Sequence, residues 1–474
     1  MDQRDDVIVI GAGLSGLAAA TALLEAGVRS LTVLEAGPQV GGRTRTSTVG
    51  GTTVDEGATL VYPQHRHVLR LAQRFGVELF ESGAQGRFLY YVGGTAHAFT
   101  LGRMGNARLL ARPWMRPVLR GAWALLSRWV PLPMSAAAVT DLLGAVRQLD
   151  VLAASVPVER PWSAPRAREL DRRTIGSWLD DVVPTGSARL FLESLLGYFP
   201  PTASLLFVLH FLNTWGGIGP LLAQPTGVLR FTHGAQELSL ALADALGDRV
   251  VLNSPVDSID QSAGRVRVYA NGTEYQAEHV IIAVGPAGYR GIEFRPALPP
   301  ARRRLQDGWQ PVHGRKINAV YDKPFWRAAG LSGSALTDRD AAPGVLDASP
   351  PDGAVGVLAC YTTDEDWPAD AVADAPRRRE EVLETFADLF GAEALHPLHF
   401  AEKRWADEPF HFGCEGGLSV GALTSARELL KTPVGRLHWA GVETADEWMG
   451  FMNGAVQAGQ RAAQEVLASI SPAG

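Results

Sequence analysis

Lysine is almost missing from this sequence. Four occur, Lys316, Lys323, Lys403 and Lys431, among 44 basic residues in a chain of 474. Cysteine is scarcer still, with only Cys360 and Cys414. Two thiols exclude a disulfide framework and point to a reducing compartment or to one special thiol. No stretch has the length and apolarity of a membrane-spanning helix. The nearest, residues 201–217, has Pro201 near its start and Gly216-Gly217 at its end, and reads as one buried helix. The opening residues lack the basic leader of a signal peptide; their short apolar run enters a glycine turn instead. A net charge of −6 gives no nucleic-acid footprint. These absences predict a cytoplasmic protein with no transmembrane segment and no nucleic-acid partner.

What is present is ordinary in bulk and specific in detail. Apolar content is 46% and charged content 20%, as in a soluble globular protein with core for two to three domains. The segment "DDVIVIGAGLSGLAAATALLEAGVRSLTVLEAG" reads as strand, turn, helix and second strand. Val7 to Ile10 form a continuous apolar run, as a strand buried on both faces requires. Gly11, Gly13 and Gly16 follow in G-x-G-x-x-G spacing: one for the tight turn, one for backbone approach to a pyrophosphate, one for helix–strand packing. The helix N-terminus offers free N–H groups to that pyrophosphate. Glu35 closes the second strand, placed to accept both ribose hydroxyls of an adenosine. With all these parts in order, the segment predicts dinucleotide binding.

Two further segments narrow the dinucleotide. "EAGPQVGGRTRT" follows Glu35 with Gly42 and Arg43 in a second close-approach turn, and "VDEGATLVYPQHRHVLRLAQRF" carries Gly57 between a strand and an amphipathic helix. His65 and His67 stand at the start of that helix. No Cys or acid lies at metal-ligand spacing, so they read as helix-end polar residues and no metal is expected. Near the other end, "RLHWAGVETADEWMGFMNGAVQAGQRAAQEVL" reads as a buried strand, a glycine loop and a helix of small residues able to approach another backbone. These motifs resemble the flavin-containing amine oxidase superfamily, in its monoamine oxidase-like branch, over almost the whole chain except residues 82–200.

The resemblance implies an α/β fold with a discontinuous Rossmann-like FAD-binding domain, residues 1–82, 228–292 and 408–468. A substrate-binding domain, 83–227 and 293–407, would hold helices and a mixed sheet including "KINAVYD" and "GVLACYTT". It implies FAD held at Gly11, Gly13, Gly16, Glu35, Gly42, Arg43, Gly57, Trp405, Gly441, Glu443 and Met452, with the backbone of Val256 on the adenine side. Trp448 and Phe451 would lie in the catalytic loop along the flavin ring. In the family, a lysine before "Y…K-x-P-F-W" holds a water against flavin N5, and Lys316, Tyr321, Lys323, Pro324, Phe325 and Trp326 reproduce that pattern. Arginine cannot replace it: its planar, permanently charged fork is too large to hold one water there, whereas lysine is compact and can lose its proton when buried. The implied reaction dehydrogenates a small-molecule amine at its C–N bond, with a hydride equivalent passing to the flavin and O2 reoxidising it to hydrogen peroxide.

The sequence also departs from the family. Cys414 falls where the animal monoamine oxidases bond the flavin 8α-carbon; a thioether and a buried free thiol both fit. The two aromatic positions of the family's amine cage hold Glu415 and Phe451. Glu415 could pair with a cationic substrate group, act as a base, or turn away to bond backbone N–H groups. Residues 194–229 carry no Asp, Glu, Lys or Arg, which fits the wall of an apolar cavity or plain core. Residues 108–133 interleave arginine with Trp114, Trp123 and Trp129. They read as amphipathic helices packed on their own domain, with a membrane-surface patch or a channel mouth as alternatives. Competing readings of the whole are a desaturase acting on a C–C or ring bond and a non-catalytic flavoprotein. Substrate identity and oligomeric state, a homodimer included, are open at this level.

Overall fold

The computed structural model of the chain describes residues 3–82, 85–99, 134–197, 199–218, 227–411 and 413–470. The Arg/Trp-rich stretch 108–133 lies outside them.

One sheet is built on the opening strand, Gln3–Ile10. It pairs in parallel with Leu31–Leu34 on one side and Thr273–Ile282 on the other. Leu437–Trp439, more than 150 residues later, adds in parallel to Val280–Ile282. Val7, Ile8, Val9 and Ile10 are all buried, as the unbroken apolar run predicts. The helix Leu14–Glu25 returns the chain between the first two strands. Against it packs the closing helix Met452–Ile470, through Ala458, Gly459, Ala462 and Ala463, all buried. Backbones touch at this seam: a Cβ on Gly459 would run into the carbonyl of Ser15 and come within 3.1 Å of Ala19 N. Gly459→Leu is therefore expected to cost roughly 3 kcal/mol or more by overpacking, read as a lowered midpoint in urea unfolding; an unchanged midpoint would show the seam to be loose.

Among the described residues a second sheet has seven strands, in the order His399–Arg404, Gly314–Tyr321, Gly356–Thr363, Gly344–Asp347, Leu331–Thr337, Arg87–Val92 and Thr95–Phe99. It is mixed, because Leu331–Thr337 pairs in parallel with Arg87–Val92 while the other pairs are antiparallel. "KINAVYD" and "GVLACYTT" both lie in it, as expected, and pair as neighbours. Gly314–Tyr321 is central and buried along its whole length. Lys316 thus sits inside a central, buried strand.

A helical layer supplies the third core. Its apolar helix spans Leu205–Thr214, starting later than Pro201 because Ser204 caps it, accepting from Phe207 N at 3.4 Å. Leu205 through Leu212 are all buried. No helix among the described residues is long and apolar enough to cross a membrane, and no described group of three His, Cys, Asp or Glu side chains could hold a metal ion.

Candidate functional site

The site begins where the opening strand ends. Gly11 has φ +97°, a conformation that side chains rarely adopt, and its N–H donates to Leu34 O at 2.8 Å. A Cβ on Gly16 would collide with the carbonyl of Gly11, so helix and turn pack without space between them. Gly13 is the N-cap of Leu14–Glu25 and brings no side chain to it, which leaves first-turn N–H groups open. The turn at Gly41 and Gly42, with φ +111° and +55°, folds onto this one: Gly41 N donates to Ala12 O at 2.9 Å. A Cβ on Gly42 would stand 3.3 Å from Gly13 Cα. Two close-approach turns thus form one anion cradle at a helix N-terminus.

Glu35 is buried beside it. Oε2 accepts from Ala12 N at 2.7 Å and Oε1 from Gly37 N at 2.8 Å. Each oxygen keeps lone pairs for a further donor, as ribose hydroxyls require. Burial pushes its carboxyl up, against the pull of the backbone N–H groups. Ser254 N donates to Glu35 O at 2.8 Å, which brings Val256, the first residue of its strand, close to this acid. Arg43 Nη2 reaches Glu443 Oε1 at 2.8 Å and so ties the second turn to the loop after Gly441, 400 residues away. Glu443 Oε2 is buried without a partner among the described residues.

The second part of the site comes from the central strand of the other sheet. Successive residues of a strand point to opposite faces, and Arg315 and Lys316 show the consequence. Arg315 is held by Asp364, at 2.7 Å, and Glu402, at 2.7 Å. Lys316 faces the other way, toward the segment after Thr52–Asp55. Its Nζ donates to Thr59 Oγ1 at 3.2 Å, and next along that face Asn318 Nδ2 donates to Asp55 O at 3.3 Å. Lys316 is 6% exposed and forms no direct ion pair among the described residues. Burial pushes its ammonium below the usual lysine range, while Asp55 and the Cys360 thiol pull it back up. Lys316 is thus a buried cation rather than a solvated surface charge. Asp55 and Thr59 were not singled out in the sequence: nothing in "TTVDEGAT" reveals that a strand 260 residues later lies across it.

Gly57 lies between these two residues. A Cβ there would meet the Arg43 carbonyl and stand 2.8 Å from Trp405 Cζ2. Trp405 Nε1 donates to Glu56 O at 2.7 Å. Gly57, Arg43 and Trp405 are therefore one contact. Cys414 and Glu415 begin the strand Cys414–Leu418, in register with Val312 and Pro311; their side chains lie outside the described residues.

The third part is a box of rings. Phe451 and Trp448 meet with centroids 5.7 Å apart, and Tyr62 and Trp215 lie at 6.1 and 6.0 Å from Phe451. Phe211, on the apolar helix, stacks on Phe451 at 5.8 Å, so the charge-free stretch serves both as core and as a neighbour of the site. Trp448 has φ +58°, a strained conformation for a bulky residue of the kind that collects at functional sites. Met452 follows, buried, at the start of the closing helix. His65 requires a correction. It precedes the helix Arg66–Arg74 as its N-cap, but its side chain makes no cap. It is fully buried against Trp448, 4.6 Å, and Tyr62, 5.1 Å, and burial pushes its pKa down to about 3. The cap comes instead from Asn453 Oδ1, which accepts from His67 N at 2.8 Å. A sequence cannot show that a distant asparagine has taken over a local role.

The donor set fits a flavin dinucleotide. The glycine cradle is open, Glu35 retains lone pairs, and a buried Glu443 oxygen lacks a partner. The comparisons agree. Residues 14–467 match the profile of a family described as flavin containing amine oxidoreductase. An amine oxidase [flavin-containing] of Oncorhynchus mykiss is 35% identical over 474 residues, covering 98% of this chain and 85% of its own. The solved structure of cyclohexylamine oxidase from Brevibacterium oxydans superposes with a TM-score of 0.86 at 30% identity, over 98% of this chain and 99% of its own. Wild-type putrescine oxidase bound to putrescine superposes at 0.87 with 28% identity, over 99% and 100%.

Proposed function

Because the chain belongs to the family of flavin-containing amine oxidoreductases, we propose that its two sheets and ring box work as one FAD-dependent amine oxidase site with Lys316 as its central polar group. The enzyme is a flavoprotein oxidoreductase acting on amine donors with O2. When bound, FAD supplies the two-electron oxidant that takes a hydride equivalent from the carbon next to nitrogen and returns the electrons to O2.

The chain's own residues do the rest. Gly11, Gly13, Gly16, Gly42 and Arg43 would hold the pyrophosphate, Glu35 the ribose, and Val256 the adenine side. Gly57, Trp405, Gly441, Glu443 and Met452 would line the remaining length of the cofactor. Trp448 and Phe451 orient the substrate and exclude water. Lys316, with Thr59 beside it, holds a water or moves a proton at the reacting face. Residues 1–82, 228–292 and 408–468 form the cofactor-binding domain on this reading, and 83–227 with 293–407 the substrate-binding domain. The scarcity of thiols supports a reducing cytoplasm as its location.

The observation that carries this reading is the placement of a buried lysine against Thr59, two residues from Gly57 and its contact with Arg43 and Trp405. The test is peroxide formation. Purified yellow protein given primary, secondary and ring amines in air should release hydrogen peroxide with at least one of them. Activity on a C–C bond of an apolar substrate and on no amine would reverse the assignment to a desaturase.

The state of the flavin is a separate question. Cys414 admits two readings, a thioether to the flavin 8α-carbon and a free thiol beside the ring, and the thioether is the one put to the test. Acid precipitation should then carry the yellow colour into the pellet, and Cys414→Ala should leave it in the supernatant. Colour in the supernatant for both would mean non-covalent FAD.

A further inference from the structure

His411 is a titratable side chain for which the reading above has no use. It lies in the turn between Trp405 and the strand Cys414–Leu418, where the sequence offered no motif. Its ring packs edge-on against Trp405, with centroids 5.6 Å apart. Its Nε2 edge lies toward the glycine cradle: a Cβ on Gly42 would stand 3.8 Å from His411 Nε2 and 3.3 Å from Gly13 Cα. Nδ1 is buried and finds no partner among the described residues. Nε2, the ring nitrogen toward Gly42, is therefore the one within reach of a ligand in the cradle.

The charges around it say what that could be. Arg43 faces the ring from the Gly42 turn and is paired with Glu443. Arg45 is paired with Glu56 and Glu408, and Lys403, from the strand His399–Arg404, with Glu408. Three cations meet three carboxylates, so the cluster is neutral without a ligand. Within it His411 is neutral as well: burial first, then Arg43, Arg45 and Lys403, hold its pKa down to about 4, while Glu408 pulls it up. A dinucleotide pyrophosphate brings two negative charges to Gly13 and Gly42 and leaves the cluster short of positive charge. A neutral imidazole with its Nε2 toward Gly42 is the group able to restore it, and a charge-assisted hydrogen bond is the stronger kind.

We propose that His411 binds the pyrophosphate of the cofactor and takes up a proton when the cofactor enters. This rests on the assignment of the glycine cradle to FAD. The sign follows from linkage. The imidazole is unprotonated in the free protein above about pH 4; the phosphates raise its pKa in the complex. Affinity therefore strengthens as pH falls toward the raised value, by up to about tenfold per unit.

Apoprotein from riboflavin-starved cells, carrying Cys414→Ala to prevent any thioether, would be titrated with FAD at pH 6 and pH 8. ADP-ribose, which keeps the pyrophosphate diester and lacks the isoalloxazine, would be titrated in parallel. Both should bind about tenfold more tightly at pH 6 than at pH 8. His411→Gln, which can still donate a hydrogen bond but cannot titrate, should bind each ligand with less than about twofold difference. A pH dependence that survives in His411→Gln, or is absent from the parent, overturns the proposal. So does one seen with FAD and not with ADP-ribose, because the contact would then be with the ring. A parent that binds neither ligand at either pH contradicts the cofactor assignment itself.

Discussion

Replacing Lys316 with methionine is expected to slow turnover of an amine by about 10²- to 10³-fold while FAD stays bound, the range typical for loss of one positioned proton-handling group. Methionine has similar length and no charge, so the strand Gly314–Tyr321 keeps its packing. What disappears is an ammonium that donates to Thr59 and faces Asp55. Stopped-flow traces of flavin reduction and reoxidation, recorded separately, would show which half-reaction slows. Turnover within twofold of wild type would remove Lys316 from the chemistry.

Asp55→Asn is expected to lower stability by roughly 2–4 kcal/mol, because two buried cations, Arg230 and Lys316, lose the acid that acts on both most strongly. Asp55 lies inside the protein, where Ala235 N donates to Oδ1 at 2.8 Å and Thr46 Oγ1 donates to Oδ1 at 2.9 Å. Burial pushes its carboxyl up; the Ala235 N–H, Arg230, the Thr46 hydroxyl and Lys316 pull it down. Arg230 is itself buried, with Nη1 on Ser349 O at 2.8 Å. Asparagine keeps an acceptor at the same place, so the loss reports charge rather than shape. Urea unfolding measures it, and a difference under about 0.5 kcal/mol, the size of an ordinary surface change, would mean that Asp55 is not the counter-charge of this site.

These two variants mark the limit of what local sequence can reveal. The glycine turns were legible because each glycine answers a local need: φ +97° at Gly11, a missing Cβ at Gly16. The seam between Leu14–Glu25 and Met452–Ile470 was legible in the small residues of the closing helix. Lys316 was legible because arginine stands almost everywhere else. Asp55 and Thr59 were not, because their roles depend on Gly314–Tyr321 crossing them, and that pairing is a property of the tertiary fold. His65 was misread for the same reason. Its position at a helix start is local, whereas its burial among Trp448 and Tyr62 is not. His411 carries no motif and becomes visible only beside Gly42.

The Glu415 question follows the same division. Residues 415 and 451 replace two family aromatics, yet the ring box is rich in aromatics from elsewhere: Tyr62, Trp215, Trp448 and Phe211.

The most direct measurement is anaerobic mixing of the purified yellow protein with an amine that it turns over. The oxidised-flavin absorbance should bleach in a single turnover and return when air is admitted, with hydrogen peroxide formed in step. A colourless protein that refuses added FAD, or a yellow one whose absorbance no amine alters, would contradict the account.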